Sequence, residues 1–217
     1  MPLETGELIE GRFMVVSEIG SGNFCRVFSG VDLDNDGSEV AIKALKPGKQ
    51  CNMREEFNIL QNLENHQYTA TPISFGTNPV EYFEGPSLFK VGFETIGRCS
   101  ERTGMLAVYF ALVSLQNLHM QSKIHGDVSL RNMVLSKTPG KGQILLVDLA
   151  TSTDYTLRGA ERDIDRLISQ MSLFNSSEFY KSLVSNYGQK KEPIGALIEK
   201  IRSHYDFALD EELDFEH

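Results

Sequence analysis

His125-Gly126-Asp127-Val128-Ser129-Leu130-Arg131-Asn132, with Ile144-Leu145-Leu146-Val147-Asp148-Leu149 shortly after it, is the stretch whose reading decides the fold. It sets an Asp and an Asn on one loop, then delivers a second Asp at the end of an apolar run. Phosphoryl transfer calls for that inventory: a carboxylate to position a hydroxyl nucleophile, and an Asn and an Asp to hold Mg2+ on nucleotide phosphates.

Upstream, Phe13-Met14-Val15-Val16, Val27-Phe28-Ser29-Gly30-Val31 and Val40-Ala41-Ile42-Lys43-Ala44-Leu45 read as strands, and Asp34-Asn35-Asp36-Gly37 is a strong hairpin signal between the last two. Met53, Phe57, Leu60 and Leu63 recur at helical spacing, which predicts a helix over 53–64. Two further short strands are expected near 71–76 and 87–93, with Pro79 to Pro86 as a turn-rich connector. From 104 to 122 the pattern is a long helix that is apolar on most faces, and such a helix is buried. Beyond Asp148, helices are expected over 161–174, 177–187 and 192–204. The acidic stretch Asp210-Glu211-Glu212-Leu213-Asp214-Phe215-Glu216 is expected to fray. A β-rich first part followed by an α-rich second part predicts an α+β chain of two lobes. The expected boundaries are a sheet lobe over 12–96, a reduced helical lobe over 97–205 and an acidic tail over 206–217, with the break near Glu94–Gly97.

The first strand turn is Ile19-Gly20-Ser21-Gly22-Asn23-Phe24-Cys25-Arg26-Val27. Glycines at 20 and 22 let backbone amides come close to a phosphate, although a turn of this kind taken alone fits a plain hairpin equally well. Lys43 lies inside a strand of Val, Ala, Ile and Leu. It is either a solvated edge lysine or a phosphate-binding lysine that needs a carboxylate to orient it, because burying an unpaired ammonium is costly. The next helix offers Glu55 and Glu56; the apolar positions around Glu56 set it at the edge of the buried face, and it is the favoured partner.

Composition narrows the function classes. The 217 residues are 41% hydrophobic and 24% charged, ordinary for a globular protein with a sizeable core. A net charge of −9 without any basic stretch argues against nucleic-acid binding. No apolar run approaches membrane-spanning length, and Met1-Pro2-Leu3-Glu4 does not open a secretory leader. Cys25, Cys51 and Cys99 are odd in number and widely spaced. They match neither a disulfide framework nor a zinc site, so a reducing, cytoplasmic compartment is expected. Oligomeric state is not legible.

Taken in order, Gly20-x-Gly22-x-Phe24-x-x-Val27, Val40-Ala41-Ile42-Lys43, Glu56, Leu118-His119, His125-x-Asp127 with Asn132, and Asp148 resemble the protein kinase superfamily, from about Phe13 to at least Arg166. The resemblance implies a two-lobed kinase-like fold, ATP with Mg2+ (or Mn2+), and a protein substrate phosphorylated on Ser or Thr. It implies roles as well. Gly20, Ser21 and Gly22 would cover the phosphates. Lys43 would contact the α- and β-phosphates and pair with Glu56. Asp127 would orient the acceptor hydroxyl and take its proton, and Asn132 and Asp148 would ligate the metal. Val27, Ala41 and Leu135 would line the nucleotide site, with Phe93 as gatekeeper and Glu94 to Ile96 as the hinge that meets adenine. His125 would fix the loop structurally. Asp163 would brace the catalytic loop, with Asp165 as the alternative.

The departures from that pattern carry their own implications. Gly126 stands where most protein kinases have the Arg that couples to a phosphorylated activation loop. The metal motif reads Asp148-Leu149-Ala150, Cys25 replaces the third glycine, and Ser129 replaces the usual Lys. Arg131 resembles the tyrosine kinase pattern. No Ala-Pro-Glu follows, and the segment between Asp148 and Asp163 is very short. His-Gly-Asp is similar to the Rio kinases, the small kinase/ATPase of the KEOPS assembly and the aminoglycoside phosphotransferases. Those likenesses imply two further possibilities: a small-molecule kinase or ATPase of the same fold, or a pseudokinase that recruits partners.

Overall fold

A computed structural model of the chain describes residues 3–75, 79–82, 100–136, 140–175, 177–208, 211–213 and 215. The chain divides into two units: Met1–His66 with Ala70–Glu84, and Gln67–Thr69 with Gly85–His217.

Among its described residues, the first unit is an antiparallel sheet with one helix. Its strands are β1 (Leu8–Ile9), β2 (Phe13–Ser21), β3 (Cys25–Asp32), β4 (Ser38–Leu45), β5 (Thr71–Phe75) and β6 (Pro79–Tyr82), and the helix is α1 (Met53–Gln61). Strand order is β1-β2-β3-β4-β6-β5. Alternation of side chains across the pleat sends Phe13, Val15, Phe28, Val40 and Ile42 to one apolar cluster, which Ile73 joins from β5. The turn between β3 and β4 is built on Asp32. Its carbonyl accepts the Gly37 N–H at 3.1 Å, and its carboxylate takes two bonds from the Arg12 guanidinium, at 2.7 and 2.6 Å. Asp36 and Gly37 are both left-handed, with φ of 50° and 74°, as this hairpin demands and as Asp-Gly tolerates. Helix α1 starts where Asn52 caps the Glu55 N–H, and it buries Glu56, Phe57 and Leu60.

The expected connector over Pro79–Pro86 requires correction: its first half is strand β6, inserted between β4 and β5 with Ala41 opposite Glu81. Pro79 is the first residue of that strand, a place where the missing N–H is tolerated. The strand expected near 87–93 and the break expected near Glu94–Gly97 lie outside the described residues.

The second unit is mainly helical: α2 (Glu101–Met120), α3 (Leu157–Gln170), α4 (Glu178–Lys190) and α5 (Ile194–Tyr205). Among the described residues it also holds two small strand pairs, β7 (Lys123–Ile124) with β10 (Thr153–Asp154), and β8 (Met133–Leu135) with β9 (Ile144–Leu146). α2 is the central element; Met105, Val108, Ala111, Leu112, Leu115 and Leu118 are fully buried. Within it the Ser114 hydroxyl reaches the carbonyls of Phe110 at 2.9 Å and Ile144 at 2.7 Å, tying the helix to β9. α3 begins four residues earlier than the apolar periodicity suggested, because the Thr156 side chain caps it by accepting the Gly159 N–H at 3.1 Å.

The tail is a second correction. Glu211 pairs with Arg102 at 2.7 Å, the Gln143 amide donates to the Glu211 carbonyl at 2.6 Å, and the Leu213 N–H returns a bond to the Gln143 side chain. Leu213 is buried and the Phe215 ring lies 5.5 Å from that of Phe174. Two apolar side chains among the acids are enough to dock the segment. Among the described residues no helix is long and apolar enough to cross a membrane.

Candidate active site

In the first unit the sheet sets Lys43 on β4, opposite Val27 of β3. Its ammonium lies 2.8 and 2.6 Å from the two carboxylate oxygens of Glu56, which is 2% exposed. Lys43 is therefore not a solvated edge lysine: its side chain is mostly buried and ion-paired. Glu55 points elsewhere, onto the side chain of Asn52 at the start of α1. Ala41 is buried two residues before Lys43, and Val27 is half-buried opposite it.

The glycine turn joins β2 to β3. Gly20 pairs with Val27 and Ser21 with Arg26, the Gly22 N–H donates to the Cys25 carbonyl at 2.9 Å, and the Lys46 ammonium caps the Gly22 carbonyl at 2.6 Å. A Cβ at Gly20 or Gly22 would meet nothing nearer than 3.8 or 3.9 Å, and neither residue is left-handed. Nothing in the packing of the fold requires glycine at either place.

In the second unit the loop after β7 is suspended from α3. The buried Asp163 carboxylate accepts the His125 N–H at 2.7 Å and the Gly126 N–H at 3.0 Å. His125 is itself fully buried. Its Nδ1 accepts the Asp127 N–H at 3.4 Å, and its Nε2 faces the Val147 carbonyl at 3.2 Å and donates to it. Those two contacts are those of a neutral imidazole, and burial lowers the His125 pKa, opposed by the nearby Asp163. The histidine is thus a strut between two loops. Asp165 turns outward, where Lys191 pairs with it.

Three candidate residues come together here. Asn132 donates its amide N–H to the Asp127 carbonyl at 3.0 Å, with the Asp127 carboxylate at 3.4 Å, which leaves its carboxamide oxygen turned away from both contacts. The hairpin of β8 and β9 then brings Asp148 to the same end. Met133 pairs with Leu146, and the Val147 N–H donates to the Asn132 carbonyl at 3.0 Å. Asp148 follows in a left-handed conformation, φ 62° and ψ 63°, which is uncommon for a residue with a Cβ. Asp127 is exposed. Leu135 is the last residue of β8 and half-buried. Phe93, Glu94 and Ile96 lie outside the described residues.

Sequence reasoning missed three supports of this loop. Gln170 accepts the Leu130 N–H at 3.1 Å and donates to the Val128 carbonyl at 3.0 Å. Arg166 donates to the Gly126 carbonyl, with its guanidinium 3.9 Å from the Asp127 carboxylate. The Thr151 hydroxyl donates to the His125 carbonyl at 3.1 Å. A signal existed for two of them: Asp163, Arg166 and Gln170 fall at i, i+3 and i+7, a polar stripe on one face of a helix that otherwise buries Ile164, Leu167 and Ile168. Gly126 has a steric reason of its own. Its φ is 80°, and a Cβ there would lie 2.4 Å from the Thr151 carbonyl oxygen.

A family model described as the protein kinase domain matches residues 13–180. The chain belongs to the protein kinase family. Among curated proteins, this kinase domain is 29% identical over 164 residues to a probable serine/threonine-protein kinase of Dictyostelium discoideum. It is 31% identical over 172 residues to myosin-IIIb of Mus musculus, and 31% over 158 residues to MAP3K epsilon protein kinase 1 of Arabidopsis thaliana. The matches take in 72%, 71% and 67% of the chain but only 33%, 12% and 11% of the relatives' own lengths. The match reaches from the sheet through the His125–Asn132 loop into the start of α4, so both units belong to the family's domain.

Proposed function

We propose that this kinase domain is an active, minimal ATP- and Mg2+-dependent serine/threonine kinase that works without activation-loop phosphorylation. The observation that carries the reading is the gathering of Asp127, Asn132 and the backbone leading to Asp148 by one buried carboxylate and one two-stranded hairpin. Asp127 is exposed toward an incoming hydroxyl, in the position of a group that orients it and takes up its proton. Asn132 and Asp148 offer a carboxamide and a carboxylate oxygen, hard donors that suit Mg2+ and also Mn2+. The metal, when bound, neutralises charge on the nucleotide phosphates. Lys43, oriented by Glu56, supplies a fixed cation for the α- and β-phosphates, and the sterically unneeded glycines at 20 and 22 suit close backbone approach to them. Gly126 and the short path from Asp148 to α3 argue for independence from a phosphorylated segment. The free thiols of Cys25 and Cys51 suit a reducing compartment, and the cytoplasm is the proposed place of action.

That same short path favours a second reading, a small-molecule kinase or ATPase, because little chain is available to cradle a peptide. Labelled ATP with Mg2+ or Mn2+, generic protein acceptors and the protein itself decide the matter. Transfer to Ser or Thr that Lys43→Ala, Asp127→Ala and Asp148→Ala each abolish is expected. Persistence of transfer in any of the three overturns the assigned role. Phosphate release without protein labelling selects the second reading, and no thermal stabilisation by saturating Mg-ATP points to a pseudokinase.

A further inference from the structure

Cys25 opens β3 directly behind the glycine turn, and Cys51 lies just before α1. Far apart in sequence, their sulfurs are 3.5 Å apart in the fold. Cys51 is exposed and Cys25 is buried beneath it, with the thioether of Met53 at 3.8 Å. The chain reaching Cys51 has no regular structure after β4; it is held by a turn at Lys46–Lys49 and the Lys46 N–H to the Phe24 carbonyl at 2.8 Å. A disulfide needs sulfurs about 2.05 Å apart, a closure that an irregular, exposed segment can make without disturbing the sheet.

We propose that Cys25 and Cys51 are a modification site, a thiol pair that a hydroperoxide converts to an intramolecular disulfide. Exposure makes Cys51 the sulfur that peroxide meets first. The Cys51 thiolate attacks one peroxide oxygen, the O–O bond breaks, hydroxide leaves and becomes water with the proton that the Cys51 thiol released, and a sulfenic acid remains. The Cys25 sulfur then attacks the Cys51 sulfur. The S–O bond breaks, and the hydroxyl leaves as water with the proton that Cys25 gives up. Two thiols and one hydrogen peroxide thus yield one disulfide and two waters, and a dithiol reductant reverses the change. The order of events has support in the surroundings of Cys25. Burial pushes its thiol up to about 12, with the Cys51 neighbour adding to the rise and Lys43 opposing it, so Cys25 is the resolving partner and not the sulfur first oxidised.

The bridge would staple the strand behind the glycine turn to the start of the helix that carries Glu56. A consequence for nucleotide affinity rests on the kinase reading above; the bridge itself does not, and the test is chosen so that the two fail separately.

The wild-type protein is treated with hydrogen peroxide, digested without reduction and mapped by mass spectrometry. The expected product is a Cys25–Cys51 crosslinked peptide, an intact mass lower by two hydrogen atoms, and full reversal by dithiothreitol. Cys25→Ser is expected to leave Cys51 as a sulfenic acid that dimedone traps, and Cys51→Ser to leave Cys25 unmodified. Over-oxidation of Cys51 to a sulfinic acid while Cys25 stays a free thiol overturns the proposal. So does pairing of either cysteine with Cys99 or with a second chain. Mg-ATP affinity of the reduced and oxidised forms is then compared; equal affinities leave the disulfide standing and remove only its link to the nucleotide.

Discussion

Asp163, buried on α3, holds the backbone N–H of His125 at 2.7 Å and through that bond fixes where the His125–Asn132 loop begins. Its second oxygen takes Gly126, and His119 faces the same carboxylate at 3.2 Å. Hydrogen bonds to a charged acceptor contribute about 1.5–3 kcal/mol each, and an unsatisfied buried donor costs a similar amount. Asp163→Asn keeps one acceptor and turns an amide N–H toward a backbone donor, so it should destabilise the protein by about 2 kcal/mol or more. Urea denaturation measures this. Asp165→Asn, at the surface, should stay within about 0.5 kcal/mol of wild type. Equal stabilities for the two variants would show that the loop does not depend on Asp163.

Gly126→Ala should be nearly as damaging. A left-handed residue with a Cβ carries about 1–2 kcal/mol of strain, and here the added atom would also sit 2.4 Å from the Thr151 backbone oxygen, so the backbone would have to shift. We expect a lower denaturation midpoint and, if transfer activity is found, a loss in kcat greater than any change in KM for nucleotide. Gly188→Ala is the control, because a Cβ there meets nothing within 4 Å; that helix position should be stabilised or unchanged. A Gly126→Ala protein as stable as wild type would mean that the loop adopts another conformation.

His125 gives the pH prediction. Burial lowers its folded pKa below the ordinary value of 6.5, which the unfolded chain retains. Above that value the residue is neutral in both states and pH has no effect through it. As pH falls below 6.5, the unfolded chain binds a proton that the folded chain refuses. Stability then declines, with a limiting slope of about 1.4 kcal/mol per pH unit, until the lowered folded pKa is reached. Denaturation at about pH 7, 6 and 5 should show this acid-side loss, and His125→Gln should flatten it even where the variant is less stable throughout. Parallel curves for the two proteins would remove His125 as the cause.

These residues also mark where the sequence is legible. Lys43 could be read because an ammonium inside an apolar strand is an exception that needs a partner, and one helix away stood two glutamates of which only one could face inward. Asp127, Asn132 and Asp148 stood out because phosphoryl transfer would ask for those residue types, and the structure ties Asn132 to Asp127 and the residue before Asp148 to Asn132. The contacts behind them could not. Gln170 and Arg166 touch the loop from some forty residues away, a pairing set by how α3 packs and not by local pattern. Strand β6 was hidden by its opening proline, the docked tail by its charge, and the Cys25–Cys51 contact by its separation in the chain. In each case tertiary packing overrides a local signal.

The Lys43–Glu56 pair closes the set. Side-chain exposures of 15% and 3% place both charges largely out of water. Removing one member of such a pair strands the other and typically costs about 3–5 kcal/mol, whereas replacing both by apolar groups of similar size is close to neutral. Lys43→Met should therefore lower stability by about 3 kcal/mol, because it strands the buried Glu56 carboxylate, and Glu56→Ala somewhat less, because the ammonium it strands is partly exposed and can reach solvent. The double variant Lys43→Met/Glu56→Leu should be more stable than the sum of the single losses by about 1–3 kcal/mol, the coupling expected of contacting residues. The same cycle separates stability from catalysis. The double variant should fold and yet transfer no phosphate, since the cation proposed to hold the phosphates is gone. An additive cycle would mean that the two charges do not interact in solution. Phosphate transfer by the well-folded double variant would take Lys43 out of the proposed chemistry altogether.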